Sequence, residues 1–319
     1  MRCTRRTFTT GLASCVIVTG HARAERPIRI VLPYPAGGVG DATARLIADD
    51  MQANLQRPVI VENKVGAAGR LGVLAVKDSP ADGSILLFAP IAPMAVFPHV
   101  YGSLGYDPDA DFAPIAQIAT FDIAVAIGSE LRTESLQDLI AWLRANPSRA
   151  FYGSPATGSL PHFFAVLFAA AAGLELRHVA YRGNAQALAD LIGGHLPMFF
   201  TSTQDLVEAH KASRIRVLAT SGTRRSSVLP EVPTFAESGY AIRGEGWYGL
   251  YAPASTPRAV VGRLNEIVVA TLRRPEIRSR LGALGLEPTG TSPAELAAIQ
   301  RTDRDFWGGV IRRSGFKPE

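Results

Sequence analysis

"VLPYPAGGVGDATARL", residues 31–46, is the stretch whose reading decides the fold. An apolar run breaks at Pro33 into the turn Pro35-Ala36-Gly37-Gly38, and a helical pattern follows. From Asp41 onward, Ala44, Ile47, Ala48, Met51 and Leu55 recur at spacings of three and four, which marks one buried helix face. A strand, a glycine turn and a helix start together offer an anion unpaired backbone N–H groups and the positive end of the helix dipole. Asp41 is placed to cap the helix. The glycines equally suit a tight strand-to-helix connection, so this stretch alone leaves both readings open.

Working outward, strand and helix alternate nearly throughout. Strand-like runs fall at 28–32, 58–62, 84–89, 122–127, 176–181, 196–200 and 215–220. Helical patterns lie at 40–55, 69–78, 135–145, 159–172, 184–192, 203–212 and, most strongly, 258–272. Short strands apolar on both faces belong to parallel sheet covered by helices. The pattern therefore predicts an α/β fold of two doubly wound, mostly parallel halves. Extended segments near 113–127 and 241–252 read as crossings between the halves. They place a discontinuous first domain at 25–122 plus 247–319 and a continuous second domain at 123–246.

The N-terminal 24 residues read as an export signal. Paired arginines in "TRRTF" (4–8) precede an apolar run, Gly11 to Gly20, and "ARA" (22–24) supplies small residues for cleavage. The arginine pair favours the twin-arginine route over the general one. "LASC" (12–15) is a competing lipoprotein box that would leave Cys15 lipidated. Either route puts the mature chain in the periplasm. Four of the 33 basic residues and none of the 28 acids lie in this segment, so the net charge of +5 falls to +1 on cleavage. A basic balance that belongs to the signal implies no nucleic-acid partner. Both cysteines, Cys3 and Cys15, also lie there, so the mature chain has no thiol chemistry.

Signatures of catalysis are missing. There is no GxxxxGK[ST] phosphate loop, no GxSxG elbow and no HExxH. Gly38-Val39-Gly40 opens a dinucleotide fingerprint, but Thr43 stands where its third glycine belongs. The mature histidines His99, His162, His178, His195 and His210 never approach metal-ligand spacing. Asp49 and Asp50 read as a solvated pair on the polar side of a helix. The expectation is a protein that is not an enzyme and needs no cofactor or metal.

Two further turns repeat the opening logic. "YGSPATGSLPHFF" (152–164) ends a strand and starts a helix at Gly158-Ser159, with hydroxyls on Ser154, Thr157 and Ser159. Ser159 is expected to cap that helix whether or not it touches a ligand. "YRGNA" (181–185) sets Tyr181, Arg182 and Gly183 at another helix start. Arg182 fits a carboxylate or an exposed position equally. His162, on an otherwise apolar helix, reads first as a core histidine and second as a ligand group. Three helix starts facing one cleft would hold an anion without a buried cation.

With these residues in view, the chain resembles the periplasmic receptors of tripartite tricarboxylate transporters, the Bug receptors. The similarity runs in register through "RIVLPYPAGGVGDATAR", "PVIVENKVGAAGRLG", "SPADGSILLFA", "FYGSPATGSLPHF", "HVAYRGNAQALADLIGGH", "IRVLATSGTRRSSVLPEVPTFAESGY" and "GWYGLYAPASTP". The resemblance implies a two-domain clam shell of the periplasmic-binding-protein kind, a receptor that closes on a small organic acid and hands it to a two-component membrane permease, acting as a monomer. A ligand sensor for a membrane signalling partner uses the same fold and stands as the alternative. By resemblance, the loop from Tyr34 through Ala36, Gly37 and Gly38 to Asp41 clasps the ligand against Ser154, Thr157, Gly158 and Ser159. Ala68 and Arg70, Ile91, His162, Tyr181 with Arg182, and Thr201 complete the cavity. Departures from the family pattern fall at Ala156, usually glycine, and at Arg70, usually small and polar. They continue at Ile91 and Met94 in an unusually apolar "APIAPMAVFP" (89–98), at Pro197, where aspartate is common, and at Thr201, where another polar or acidic residue is frequent. They predict a ligand that keeps one carboxylate on an aromatic or branched apolar body.

Overall fold

The computed structural model describes residues 26–317, so the readings of an export signal and of lipidation at Cys15 lie outside the described residues. β1 (Ile28–Leu32) leads through the glycine turn into α1 (Val39–Leu55), then β2 (Val59–Asn63), α2 (Arg70–Lys77) and β3 (Ile85–Pro90). Next come β4 (Phe112–Gly128), α3 (Leu136–Ala145), β5 (Phe151–Ser154), α4 (Leu160–Ala172), β6 (Arg177–Ala180) and α5 (Asn184–Ile192). The chain continues through β7 (Met198–Ser202), α6 (Val207–Lys211), β8 (Ile215–Thr220) and β9 (Glu245–Pro253). It ends with α7 (Arg258–Arg273), α8 (Pro275–Ala283), β10 (Glu287–Pro288) and α9 (Pro293–Arg313). Serine-based capping boxes, Ser135 with Asp138 and Ser292 with Glu295, start α3 and α9.

The strands line up as β2-β1-β3-β9-β4-β7-β5-β6, with β8 and β10 also paired to β4. β1 pairs in parallel with β2 and β3, and β5 with β6 and β7. β3 is buried along all but its last residue, as a parallel strand covered on both faces must be. Antiparallel pairing among the described residues always involves β4 or β9. The two segments expected as crossings are these long strands, and they run side by side. β4 changes partners midway: Asp122 still pairs with Glu245 of β9, whereas Ile123 pairs with Ser202 of β7. One strand thus belongs to the sheet of β1–β3 and then to the sheet of β5–β8.

α1 buries Ala44, Ile47, Ala48 and Met51 on the expected face, while Leu55 is only half-buried at the helix end. Asp50 corrects the reading of a solvated pair. α7 packs across α1, so Asp50 is buried, accepts a 2.5 Å bond from Thr271 Oγ1 and pairs with Arg274, whereas Asp49 stays exposed. A carboxylate covered by a neighbouring helix needs such partners.

The main apolar core is continuous through both sheets, joining Ile30, Leu86 and Leu250 to Phe163, Phe168 and Phe200. α9 extends it across the boundary: Trp307 lies 5.5 Å from Phe164 of α4, and Phe316 lies 5.4 Å from Phe163. A smaller cluster around Leu191, Phe199 and Leu206 fills the outer face of the second sheet. Among the described residues no helix is long and apolar enough to cross a membrane.

Candidate functional site

The turn after β1 is built so that donors stay free. Gly37 adopts φ +90°, which glycine takes without cost, and Gly38 is the N-cap of α1. The first helical bond runs from Ala42 N–H to Gly38 O, so the N–H groups of Val39, Gly40 and Asp41 have no acceptor among the described residues. Asp41 sits in the first turn and is not the N-cap expected of it. Its carboxylate reaches back to Gly37 N–H at 3.1 Å, accepts two 3.0 Å bonds from Arg45 and one of 2.9 Å from Asn63. Those bonds, led by Arg45, hold its pKa down at about 2. Arg45 neutralises Asp41, so the helix dipole at this mouth is not cancelled by its own acid.

The adjoining wall carries backbone strain. Gly66, Ala67, Ala68 and Gly69 all have positive φ, and the two alanines, at +46° and +56°, hold a conformation that costs L-residues about 1–2 kcal/mol each. Tyr34 Oη donates to Ala68 O at 3.4 Å. Arg70 is held rather than free: its Nε donates to Ala67 O, and its guanidinium lies 3.9 Å from the Tyr101 ring centroid. Ile91 and Met94 are buried in the core, and residues 92–96 form one wide helical turn.

The second turn, after β5, uses several of its donors internally, leaving the Ala156, Thr157 and Leu160 N–H groups without an acceptor among the described residues. Ser154 is buried; its Oγ donates to Ala156 O and lies 2.7 Å from His178 Nε2. Because that hydroxyl proton is used, His178 Nε2 is the donor. Gly158 N–H donates to His162 Nδ1 at 3.0 Å, and Ser159 N–H to Ala156 O. Ser159 caps α4 as expected, accepting from His162 N–H. His162 and His178 stack with centroids 4.0 Å apart, and burial lowers both pKa values, with His178 lowering that of His162 further. His162 is therefore the core histidine, propping the turn from beneath. Thr157 is exposed, and its hydroxyl has no partner among the described residues. Gly158, at φ +72°, packs on Val100 of the first half.

At the third helix start, Gly183 N–H donates to Pro155 O, tying this turn to the second. The Tyr181 hydroxyl turns to Asp190 at 2.9 Å, and Arg182 is exposed with no ion pair among the described residues. Thr201 is fully buried and donates to Asn184 Oδ1 at 2.9 Å.

Three groups that sequence reasoning passed over stand between the halves. Tyr248 of β9 stacks on Phe88, and a Cβ added at Gly40 would lie 3.4 Å from its hydroxyl, so that hydroxyl sits at the start of α1. It has no hydrogen-bond partner among the described residues. Asp205, after β7, accepts from Asn184 Nδ2 at 2.7 Å and from Thr201, and its charge reaches Tyr248. Asn184 links Thr201 to Asp205 by its side-chain amide. The signal for Tyr248 was available: in "GWYGLYAP" alternate residues face opposite sides of the strand. Trp247 faces the other way, bonding Asp303 at 2.7 Å, beside a cavity of about 920 Å³ lined by Asp122, Arg224, Glu245 and Phe306. That cavity lies on the far face of β9 from the glycine turns and does not include them.

The chain belongs to the receptor family of tripartite tricarboxylate transporters: residues 43–316 match the family described as "Tripartite tricarboxylate transporter family receptor". A protein encoded in the tcbD-tcbE intergenic region of Pseudomonas sp. strain P51 is 32% identical, over 96% of this chain and 94% of its own length. BugT of Bordetella pertussis strain Tohama I is 30% identical over 97% and 95%. Among solved structures, R. palustris Rpa4515 with adipate is 31% identical, covers 92% of this chain and 99% of that one, and superposes with a TM-score of 0.86. The fold is thus the two-domain fold of periplasmic binding proteins.

Proposed function

We propose that this chain is an exported, non-enzymatic receptor that captures a small carboxylate in the periplasm and delivers it to a two-component membrane permease. The domains 25–122 plus 247–319 and 123–246 close on the ligand, about a hinge where β4 changes sheets. The observation that carries this reading is the set of unpaired N–H groups on Val39, Gly40 and Asp41, at an exposed glycine turn beside the free Tyr248 hydroxyl. A carboxylate held there needs no cation, and membership of the receptor family together with adipate in Rpa4515 supports an organic acid. The buried Ile91 and Met94 do not supply the apolar wall inferred from sequence, so an aromatic or branched body for the ligand has no support from them. Closure follows from contacts made to both halves at once.

The test is a thermal-shift screen of the purified protein against small carboxylates and their amides, paired with Val39→Pro. Proline is favoured at the first helical position, so this variant removes one donor while keeping the helix. Carboxylate binding that weakens about tenfold at unchanged stability supports the site. Carboxylates that bind equally well to the variant place the anion elsewhere.

A further inference from the structure

Asp205 is an acid set opposite an anion site. One carboxylate oxygen, Oδ2, takes both bonds, from Asn184 at 2.7 Å and Thr201 at 3.3 Å. Oδ1 accepts no hydrogen bond among the described residues, and no cation pairs with the group. Oδ1 is not sealed in the core, so the donor of a ligand can reach it. Near it stands Tyr248: the Asp205 carboxylate adds to the burial that keeps this phenol protonated, and its hydroxyl stands at the start of α1. The space between the halves is thus polarised. Its first-half end, with orphan N–H groups and a free phenol, attracts negative charge, and its second-half end carries a negative charge. Burial pushes Asp205 up to about 6, against the bonds from Thr201 and Asn184, so at neutral pH it is still mostly ionised.

We propose that Asp205 is a specificity-determining residue: it selects carboxylates whose other end carries a hydrogen-bond donor, a protonated amine before a hydroxyl, and rejects those ending in a second carboxylate. The proposal rests on the carboxylate-receptor reading above. Thr201 stands where the family pattern has a polar or acidic residue. Here the acid stands four positions further on, and Thr201 bonds to it. A dicarboxylate would bring its second charge against Asp205, where two like charges in a partly dry site oppose each other. An ammonium group would instead give Oδ1 a charge-assisted bond.

The experiment is calorimetric titration at pH 7.5 with ligands differing only at the far end: hexanoate, 6-hydroxyhexanoate, 6-aminohexanoate and adipate. It is repeated with butyrate, 4-hydroxybutyrate, 4-aminobutyrate and succinate. The expected order in the better-binding series is amine, hydroxyl, methyl, carboxylate, with the amine favoured over the dicarboxylate by about tenfold or more. Asp205→Asn should erase most of that preference while binding the dicarboxylate more tightly. In the unaltered protein, lowering the pH to 5 should shrink the preference for the amine over the methyl compound, whose far ends do not titrate there, as Asp205 takes up its proton. A dicarboxylate bound as well as or better than the amine overturns the proposal while leaving the carboxylate receptor intact. So does Asp205→Asn weakening every acid equally, the mark of a group that only braces Asn184 and Thr201. If no acid of either series binds, the carboxylate reading fails, and this inference with it.

Discussion

The turns after β1 and β5 share one sequence signature, a strand end with glycine and small residues before a helix, yet they keep different donors free. The first leaves the N–H groups of Val39, Gly40 and Asp41 unpaired, with its one acid neutralised by Arg45. The second uses Gly158 N–H on His162, Ser159 N–H on Ala156 O, and both serine hydroxyls on the same carbonyl, while Pro161 has no N–H to give; the Ala156, Thr157 and Leu160 N–H groups and the Thr157 hydroxyl have no acceptor among the described residues. Serines near backbone satisfy it locally, so a hydroxyl-rich turn is a poorer anion cradle than a bare glycine one. The first turn therefore offers consecutive N–H groups at one helix start, and the second mixes free and satisfied donors on a wall held against Val100.

The largest expected effect tests the support of that wall. Burial holds both stacked histidines below the usual histidine value of about 6.5, so the folded state binds fewer protons than the unfolded one in the range beneath it. Their contribution is complete above about pH 6.5 and is lost as pH falls toward the lowered folded values, at up to about 1–3 kcal/mol per pH unit. Denaturant midpoints at several pH values should fall steeply below pH 6, and His162→Gln with His178→Gln should flatten that slope. An unchanged slope in the double variant would mean that the pair does not carry the acid sensitivity.

Next in size is a contrast between glycines. Gly158→Ala places a methyl 2.7 Å from Val100 Cγ1 at φ +72°, and should cost about 2–3 kcal/mol in urea unfolding. Gly37→Ala, at φ +90° with open space around it, meets only the backbone penalty of about 1 kcal/mol. Equal costs would erase the distinction between a turn packed across the halves and one open to solvent.

Most of the layout was legible in the sequence, because period-two and period-3.6 patterns report which faces are buried. The helix at 40–55 and the strands at 28–32 and 215–220 lie within a residue of α1, β1 and β8. Less legible was whatever depends on partners distant in the chain. β4 and β9 read as extended crossings because nothing local says that Asp122 will pair with Glu245. Asp50 looked solvated because α7, more than 200 residues on, covers it. The same limit held at the site. The sequence marked both turns, but which donors stay free depends on His162 and His178 coming to stack from different elements. Asp205 and Tyr248 gain their meaning only from each other.

A smaller effect probes the first turn alone. Asp41→Asn keeps a group able to accept from Gly37 N–H but loses the charge that pairs with Arg45. Arg45 is half exposed, so the cost is screened to about 1 kcal/mol. The native contribution of Asp41 is present above about pH 4 and disappears as pH falls toward about 2, because its folded pKa is lowered. The variant should lack that acid limb while keeping the limb set by the histidines. Loss of the histidine limb instead would show that the two turns are coupled through the cleft.

The smallest effect concerns the strained wall beside the first turn. Ala68 sits at φ +56° between Ala67 at +46° and Gly69 at +98°, a left-handed run that an L-residue holds only because its surroundings fix it. Ala68→Gly removes the Cβ conflict but frees the unfolded chain, so the net gain is about 0.5 kcal/mol. The control is Ala48→Gly in α1, where φ is helical and the same replacement should cost about 1 kcal/mol. Strain kept at a site that tolerates a more stable residue is explained if Ala68 narrows the conformations of the loop facing the ligand. The Gly variant should then melt slightly higher and bind a carboxylate more weakly. A variant that melts higher and binds unchanged would detach the strain from recognition and leave the unpaired donors of α1 as the whole of the first half's contribution.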